Sequence, residues 1–144
     1  MGKLEEAITI AVEAHKGQRD KFGAPYILHP LRVMARVKTE EEMTVAILHD
    51  VVEDTKWTFD RLREAGFSET VVEAIGCVTK RAGESYDSLI ERARANPLAR
   101  QVKIADLEDN MDVRRIPVVT AKDAERLAKY RRAWQTLTDQ NSGE

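Results

Sequence analysis

Cysteine is nearly absent from this chain: Cys77 stands alone among 144 residues. That excludes a disulfide framework, and a reducing, cytoplasmic setting is the expectation. Aromatic residues are scarce, and no apolar run approaches the roughly 18–20 residues that cross a bilayer. Neither an Asn-Gly nor an Asp-Gly pair occurs, and no stretch alternates cleanly with a period of two, so β-hairpins lack their usual signals. Neither sign of charge dominates. With 23 Lys+Arg against 25 Asp+Glu the formal charge is −2, which argues against a general nucleic-acid coat. The first residues, Met1 to Glu6, are charged and amphipathic and do not read as a secretory leader. What is plentiful is charge (33%) together with 42% apolar residues, the balance of one ordinary globular domain rather than a disordered chain.

The apolar positions recur with helical spacing throughout. Leu4, Ala7, Ile8, Ala11, Val12 and His15 fall at i, i+3, i+4 and i+7, one face of a helix. After a loop through Phe22-Gly23-Ala24-Pro25, Pro30 sits where a first helical turn accepts proline. A helix is expected to run from Met43 through Ala46, Ile47, Asp50 and Val51 to Asp54. Thr58, Ser68 and Thr120 are N-cap candidates, Gly66 is a C-terminal stop, and Pro97 opens a further helix. The expectation is an all-α fold: a single bundle of about seven or eight helices over residues 1–138, with a loose tail over 139–144.

Two acidic clusters interrupt this pattern. In Leu48-His49-Asp50-Val51-Val52-Glu53-Asp54-Thr55, His49 and Glu53 are four apart, as are Asp50 and Asp54, so on a continuous helix each pair shares a face. Like charges repel at that spacing, and a helix C-terminus prefers cations. A bound cation reverses both penalties. The rival reading is a solvated acidic turn, but Asp50 and Asp54 lie on the stripe with Met43, Ala46 and Ile47. The second cluster is Val102-Lys103-Ile104-Ala105-Asp106, whose carboxylate sits among small apolar neighbours and needs a partner; a salt bridge to Lys103, Arg114 or Arg115 would serve as well as a metal. His29, at a loop–helix junction, could join His49, Asp50 and Asp106 in a two-imidazole, two-carboxylate set. Such a mixed set suits a first-row divalent ion without choosing among Mn, Fe, Co, Ni and Zn. His15, alone on an apolar stripe, reads as a hydrogen-bonded core residue.

At these residues the sequence resembles the HD-domain metal-dependent phosphohydrolases, and more closely the hydrolase domain of the RelA/SpoT family. The resemblance rests on His15-Lys16-Gly17-Gln18-Arg19, Gly23-Ala24-Pro25-Tyr26-Ile27-Leu28-His29-Pro30-Leu31, the His49-Asp50 and Glu53-Asp54-Thr55 groups, Val78-Thr79-Lys80, and Val102–Asp106, in that order. It covers nearly the whole chain. The length leaves no room for the family's synthetase or regulatory domains and resembles that of the stand-alone small alarmone hydrolases. The resemblance implies an HD-domain helical fold, a Mn²⁺ cofactor and removal of pyrophosphate from the 3′ position of guanosine tetra- or pentaphosphate. It implies His29, His49, Asp50 and Asp106 as metal ligands, Glu53 and Asp54 as catalytic carboxylates, and Lys21, Lys103, Asn110 and Tyr130 as substrate contacts. The expected partner is a small nucleotide, with neither nucleic acid nor membrane.

The sequence departs from the family where Asp20, Leu107 and Asp112 stand at positions that commonly carry cations. Two other readings therefore remain open: an HD phosphatase acting on a nucleoside monophosphate or the 2′-phosphate of NADPH, and a non-catalytic nucleotide-binding module. Among weaker features, Arg19, Arg114 and Arg115 are cations available to an anionic substrate, although each by itself reads as solvated surface. Trp57 and Phe59 follow Thr55 and are expected to close one side of the cleft. Residues 121–132 read as a solvated, mixed-charge helix face.

Overall fold

Every element among the described residues is helical, and the local sequence explains most of the boundaries. A computed structural model describes residues 3–139. Among these, α1 spans Leu4–Ala14, α2 Leu28–Arg36, α3 Glu40–Leu48, α4 Val51–Asp54 and α5 Phe59–Glu64. Then follow α6 (Glu69–Val78), α7 (Tyr86–Ala95), α8 (Pro97–Asn110), a 3₁₀ turn at Val113–Arg115 and α9 (Ala121–Thr138). Thr58, Ser68 and Thr120 each cap a helix through a side-chain oxygen, and Pro97 opens α8 behind an Asn96 cap. Gly66, at φ +98°, provides the left-handed turn after α5. Helix α9 ends at Thr138, and of the expected tail, residues 140–144 lie outside the described residues.

Helix α3 is the axis of the larger half. Thr44 to Leu48 are all buried, and the helix packs against α1, α2, α6 and α8. A helix enclosed on all sides shows little amphipathic stripe. Around it lies a core that includes Ala11, Val33, Ile47, Leu62 and Ile75. A smaller core joins α7, α8 and α9 through Ile90, Leu107, Ala133 and Leu137. Helix α8 borders both cores, so Asp106 on α8, His29 on α2 and the end of α3 are brought together by packing distant in sequence.

The expected continuous helix from Met43 to Asp54 does not form. It breaks after Leu48, and the chain restarts as the single turn α4. The Ala46 carbonyl is taken by both the His49 amide (3.4 Å) and His49 Nδ1 (2.6 Å), which tightens the end of α3. His49 and Glu53 therefore do not share a face: His49 is buried and Glu53 exposed. With α4 counted apart, nine α-helical segments are present among the described residues, slightly more than expected.

Candidate active site

Two imidazoles and two carboxylates meet where α2, the α3–α4 break and α8 converge. His29 Nε2 lies 2.9 Å from Asp106 Oδ1 and 3.7 Å from Asp50 Oδ2. His49 Nε2 lies 3.1 Å from Asp50 Oδ2 and 3.4 Å from Asp106 Oδ1. The ligand atoms of His29, His49 and Asp50 all fall within 4.8 Å of one another. Donors each about 2.1 Å from a shared ion stand roughly 3.0–3.4 Å apart, so these separations fit a divalent metal. His49 Nε2 is a buried nitrogen with no hydrogen-bond partner, which is a second sign of fit.

The imidazoles are oriented from behind. His49 Nδ1 is committed to the Ala46 carbonyl, and His29 Nδ1 donates to Asp109 Oδ2 at 2.7 Å. In both rings Nε2 is left to face the cluster, which is the arrangement expected of metal-ligating histidines. Asp109 is itself buried and held by Arg32 Nε (2.7 Å), with the Arg115 guanidinium bonding its backbone carbonyl. Tyr26 donates its hydroxyl to Asp50 Oδ2 at 2.5 Å. Sequence reasoning assigned no role to Asp109 or Tyr26. The signal for Asp109 was its spacing, three residues beyond Asp106 on the same helix.

Charge in the cluster is mutually supporting. Burial works against the charged imidazoles, but hydrogen bonds to Asp106 and Asp109 raise the pKa of His29, and Asp50 with Asp106 raises His49 well above its ordinary value. Burial alone would push Asp50 up, yet the neighbouring His49 carries it down to about 2. Burial would likewise raise Asp106, and Lys103 and the two imidazoles outweigh it and hold the carboxyl well down. The Lys103–Asp106 bridge anticipated as a rival to metal binding is present at 2.8 Å, but it uses Oδ2 and leaves Oδ1 for the imidazoles. Asn110 Nδ2 also reaches Asp106 Oδ1, at 3.2 Å.

A cavity of about 410 Å³ opens over this cluster. His29, Asp50 and Asp106 form its floor with His49 buried beneath, and Glu53 and Asp54 stand on its wall. Burial and the neighbouring Asp50 and Glu53 charges raise the pKa of Asp54. Lys21, Lys103, Asn110 and Tyr130, named above as substrate contacts, all line the same cavity. Arg19 and Arg115 line it as well, while Arg114 is exposed and paired with Asp112 at 2.7 Å.

Three expectations need correction. Trp57 and Phe59 do not border the cleft: both pack on the larger core, with the Arg61 guanidinium 4.1 Å over the Trp57 ring. Arg126, read as part of a solvated face, lines the cavity and pairs with Asp123 at 3.0 Å. Leu107 is fully buried in the smaller core and does not line the cavity.

No protein-family model matches the chain. Individual proteins do. Over 116 residues, 72% of the chain, it is 35% identical to the guanosine-3′,5′-bis(diphosphate) 3′-pyrophosphohydrolase MESH1 of Danio rerio, spanning 64% of that protein. Over 121 residues, 76% of the chain, it is 32% identical to the enzyme of the same activity from Aquifex aeolicus. A solved structure, described as a metazoan ortholog of SpoT that hydrolyses ppGpp, matches with a TM-score of 0.78 at 26% identity, covering 99% of this chain and 89% of that one. The chain belongs to the RelA/SpoT-type HD hydrolase family. It spans only 17% of the Aquifex aeolicus relative. In this RelA/SpoT-type chain the His-Asp doublet that names the HD fold is the break between α3 and α4. Among the described residues, no helix is long and apolar enough to cross a membrane.

Proposed function

We propose that this chain is a Mn²⁺-dependent pyrophosphohydrolase, another first-row divalent metal being able to serve, that removes the 3′-pyrophosphate of guanosine tetra- or pentaphosphate. The observation that carries the reading is the convergence of His29 Nε2, His49 Nε2, Asp50 and Asp106 Oδ1 beneath a cavity whose wall holds Glu53 and Asp54. Relatives named for this activity support the choice of substrate.

His29, His49, Asp50 and Asp106 would hold the ion, which supplies Lewis acidity toward water and the phosphoryl group. Glu53 and Asp54 orient the attacking water and accept its proton. Lys21 and Lys103 offset phosphate charge, and Asn110 and Tyr130 border the nucleotide. Water replaces the 3′ oxygen at phosphorus; pyrophosphate leaves, and the nucleoside 5′-di- or triphosphate recovers its 3′-hydroxyl.

A second reading has its own support. Acidic side chains outnumber basic ones along the cavity, with Asp20, Asp112 and Asp123 added to those of the cluster. That balance favours a substrate with fewer phosphates, such as a nucleoside 3′-monophosphate or the 2′-phosphate of NADPH. Product identity separates the two. Metal-stripped protein is incubated with guanosine tetraphosphate, guanosine 3′-monophosphate and NADPH, with and without Mn²⁺. Pyrophosphate released from the tetraphosphate only with Mn²⁺ supports the first reading. Orthophosphate from either of the others supports the second. No turnover with metal restored contradicts both and leaves a non-catalytic binding module.

A further inference from the structure

Val78-Thr79-Lys80 is part of the resemblance, yet none of its side chains enters the mechanism above. The backbone supplies the connection. The amide of Lys80 donates to Glu53 Oε1 at 2.8 Å, across 27 residues of sequence. Lys80 belongs to the segment between α6 and α7, and that segment is tied down by one side chain. Arg92, on α7, donates through Nη1 to the Gly76 carbonyl (2.8 Å) and through Nη2 to the Thr79 carbonyl (2.7 Å). Its Nε and Nη2 also form a forked pair with Glu84, at 2.7 and 2.8 Å. Glu84 in turn accepts from the Arg81 amide at 3.1 Å. The side chains of Arg92 and Glu84 are only 17% and 8% exposed, so the pair is largely shielded from solvent.

Arg92 engages carbonyls at the end of α6, that of Gly76, which also accepts the Thr79 amide at 3.3 Å, and that of the cap residue Thr79, and a cation is favoured at such an end. Arg92 makes four hydrogen bonds, two of them forked onto Glu84, a set that a planar guanidinium with five donors supplies and a lysine ammonium with three does not. The residues on both sides of Lys80 are thus fixed, Thr79 by its carbonyl and Arg81 by its amide. Glu53 itself is exposed, and an exposed carboxylate has little else to set its rotamer.

We propose that Arg92 is a positioning residue for Glu53: it fixes the α6–α7 segment so that the Lys80 amide holds the Glu53 carboxylate at the cavity wall. With Oε1 committed to that amide, the other oxygen is the one the reaction can use. The proposal rests on the role given to Glu53 above.

Steady-state kinetics on Arg92→Lys, Glu53→Gln and the double variant, together with hydrogen exchange at the Lys80 amide, test it. Arg92→Lys keeps the charge and loses the fork. It is expected to lower kcat about tenfold with KM and Mn²⁺ affinity unchanged, and to add no loss on the Glu53→Gln background, because residues acting as a unit are not additive. Lys80 amide exchange is expected to speed up at least fivefold in Arg92→Lys and in Glu84→Gln, a readout that needs no substrate. Unchanged kcat in folded Arg92→Lys, losses that multiply in the double variant, or unchanged Lys80 exchange each overturn the proposal. If Arg92→Lys does not fold, Glu84→Gln carries the same kinetic and exchange criteria. A harmless Glu53→Gln removes the role of Glu53 and this proposal with it. If the wild-type protein turns over none of the nucleotides, the reaction is what has failed, and the exchange result still decides whether Arg92 holds the segment.

Discussion

His29 and Asp109 share a buried hydrogen bond of 2.7 Å between Nδ1 and Oδ2, on a carboxylate with no solvent exposure. A carboxylate can only accept, so Asp109 holds a proton on Nδ1 and leaves Nε2, which bonds Asp106 Oδ1 at 2.9 Å, as the nitrogen that would give up its proton to hold an ion. The Asp109→Asn variant keeps the shape and loses the charge that strengthens this bond. Its Mn²⁺ affinity is expected to fall roughly 10–100-fold in chelator competition. Unchanged affinity would show that the ring needs no such support.

Roles within the acidic cluster separate by what each side chain touches. Asp106→Ala is expected to lose bound Mn²⁺ and turnover together. Glu53→Ala is expected to keep the metal and lose turnover by roughly 10²–10⁴-fold, the usual worth of a positioned acid–base group. Metal content and kcat measured on the same preparations decide the matter; loss of metal from Glu53→Ala would reverse the assignment.

Leu107 faces the smaller core with Ile90, Ala133 and Leu137, and it is fully buried. Leu107→Ala should cost about 2–5 kcal/mol in urea denaturation, as for other buried leucines. Leu107→Lys should destabilise the fold further without lowering KM for an anionic nucleotide. A lower KM in that variant would place the side chain in the cleft after all.

The Glu84–Arg92 pair gives a pH dependence whose sign is fixed. Arg92 holds the Glu84 carboxyl at about 2, below its ordinary 4.5. The unfolded chain therefore binds the proton first as pH falls, so the stabilisation is present above about 4.5 and is lost on the way down to about 2. Denaturation midpoints of metal-stripped protein across that window should fall less steeply for Glu84→Gln than for the wild type. Parallel slopes would mean that the pair contributes nothing to folding.

Much of the fold was legible because helix ends carry local signals. Thr58, Ser68, Pro97 and Thr120 mark their helices through short-range hydrogen bonds or backbone geometry, which sequence alone can express. The break after Leu48 was not legible: the apolar spacing continues through it, and the buried His49 ring that takes the Ala46 carbonyl where the helix ends is visible only in the folded chain. Trp57 and Phe59 were misplaced for a similar reason, since where a loop aromatic lands depends on which core it reaches. The grouping of His29, His49, Asp50 and Asp106 was expected from residue type and resemblance, and the structure brings them together, but the side chains that orient them were not foreseen. Arg92 lies in the charged run Glu91-Arg92-Ala93-Arg94, and nothing local distinguishes it from its neighbours until α6 is packed against α7.

The central claim is that four side chains from three separated stretches share one ion. Crystals grown with Mn²⁺ and measured at the manganese absorption edge test it most directly. The account predicts a single strong anomalous peak within bonding distance of His29 Nε2, His49 Nε2, Asp50 and Asp106. A peak elsewhere, or none at saturating Mn²⁺, would contradict it.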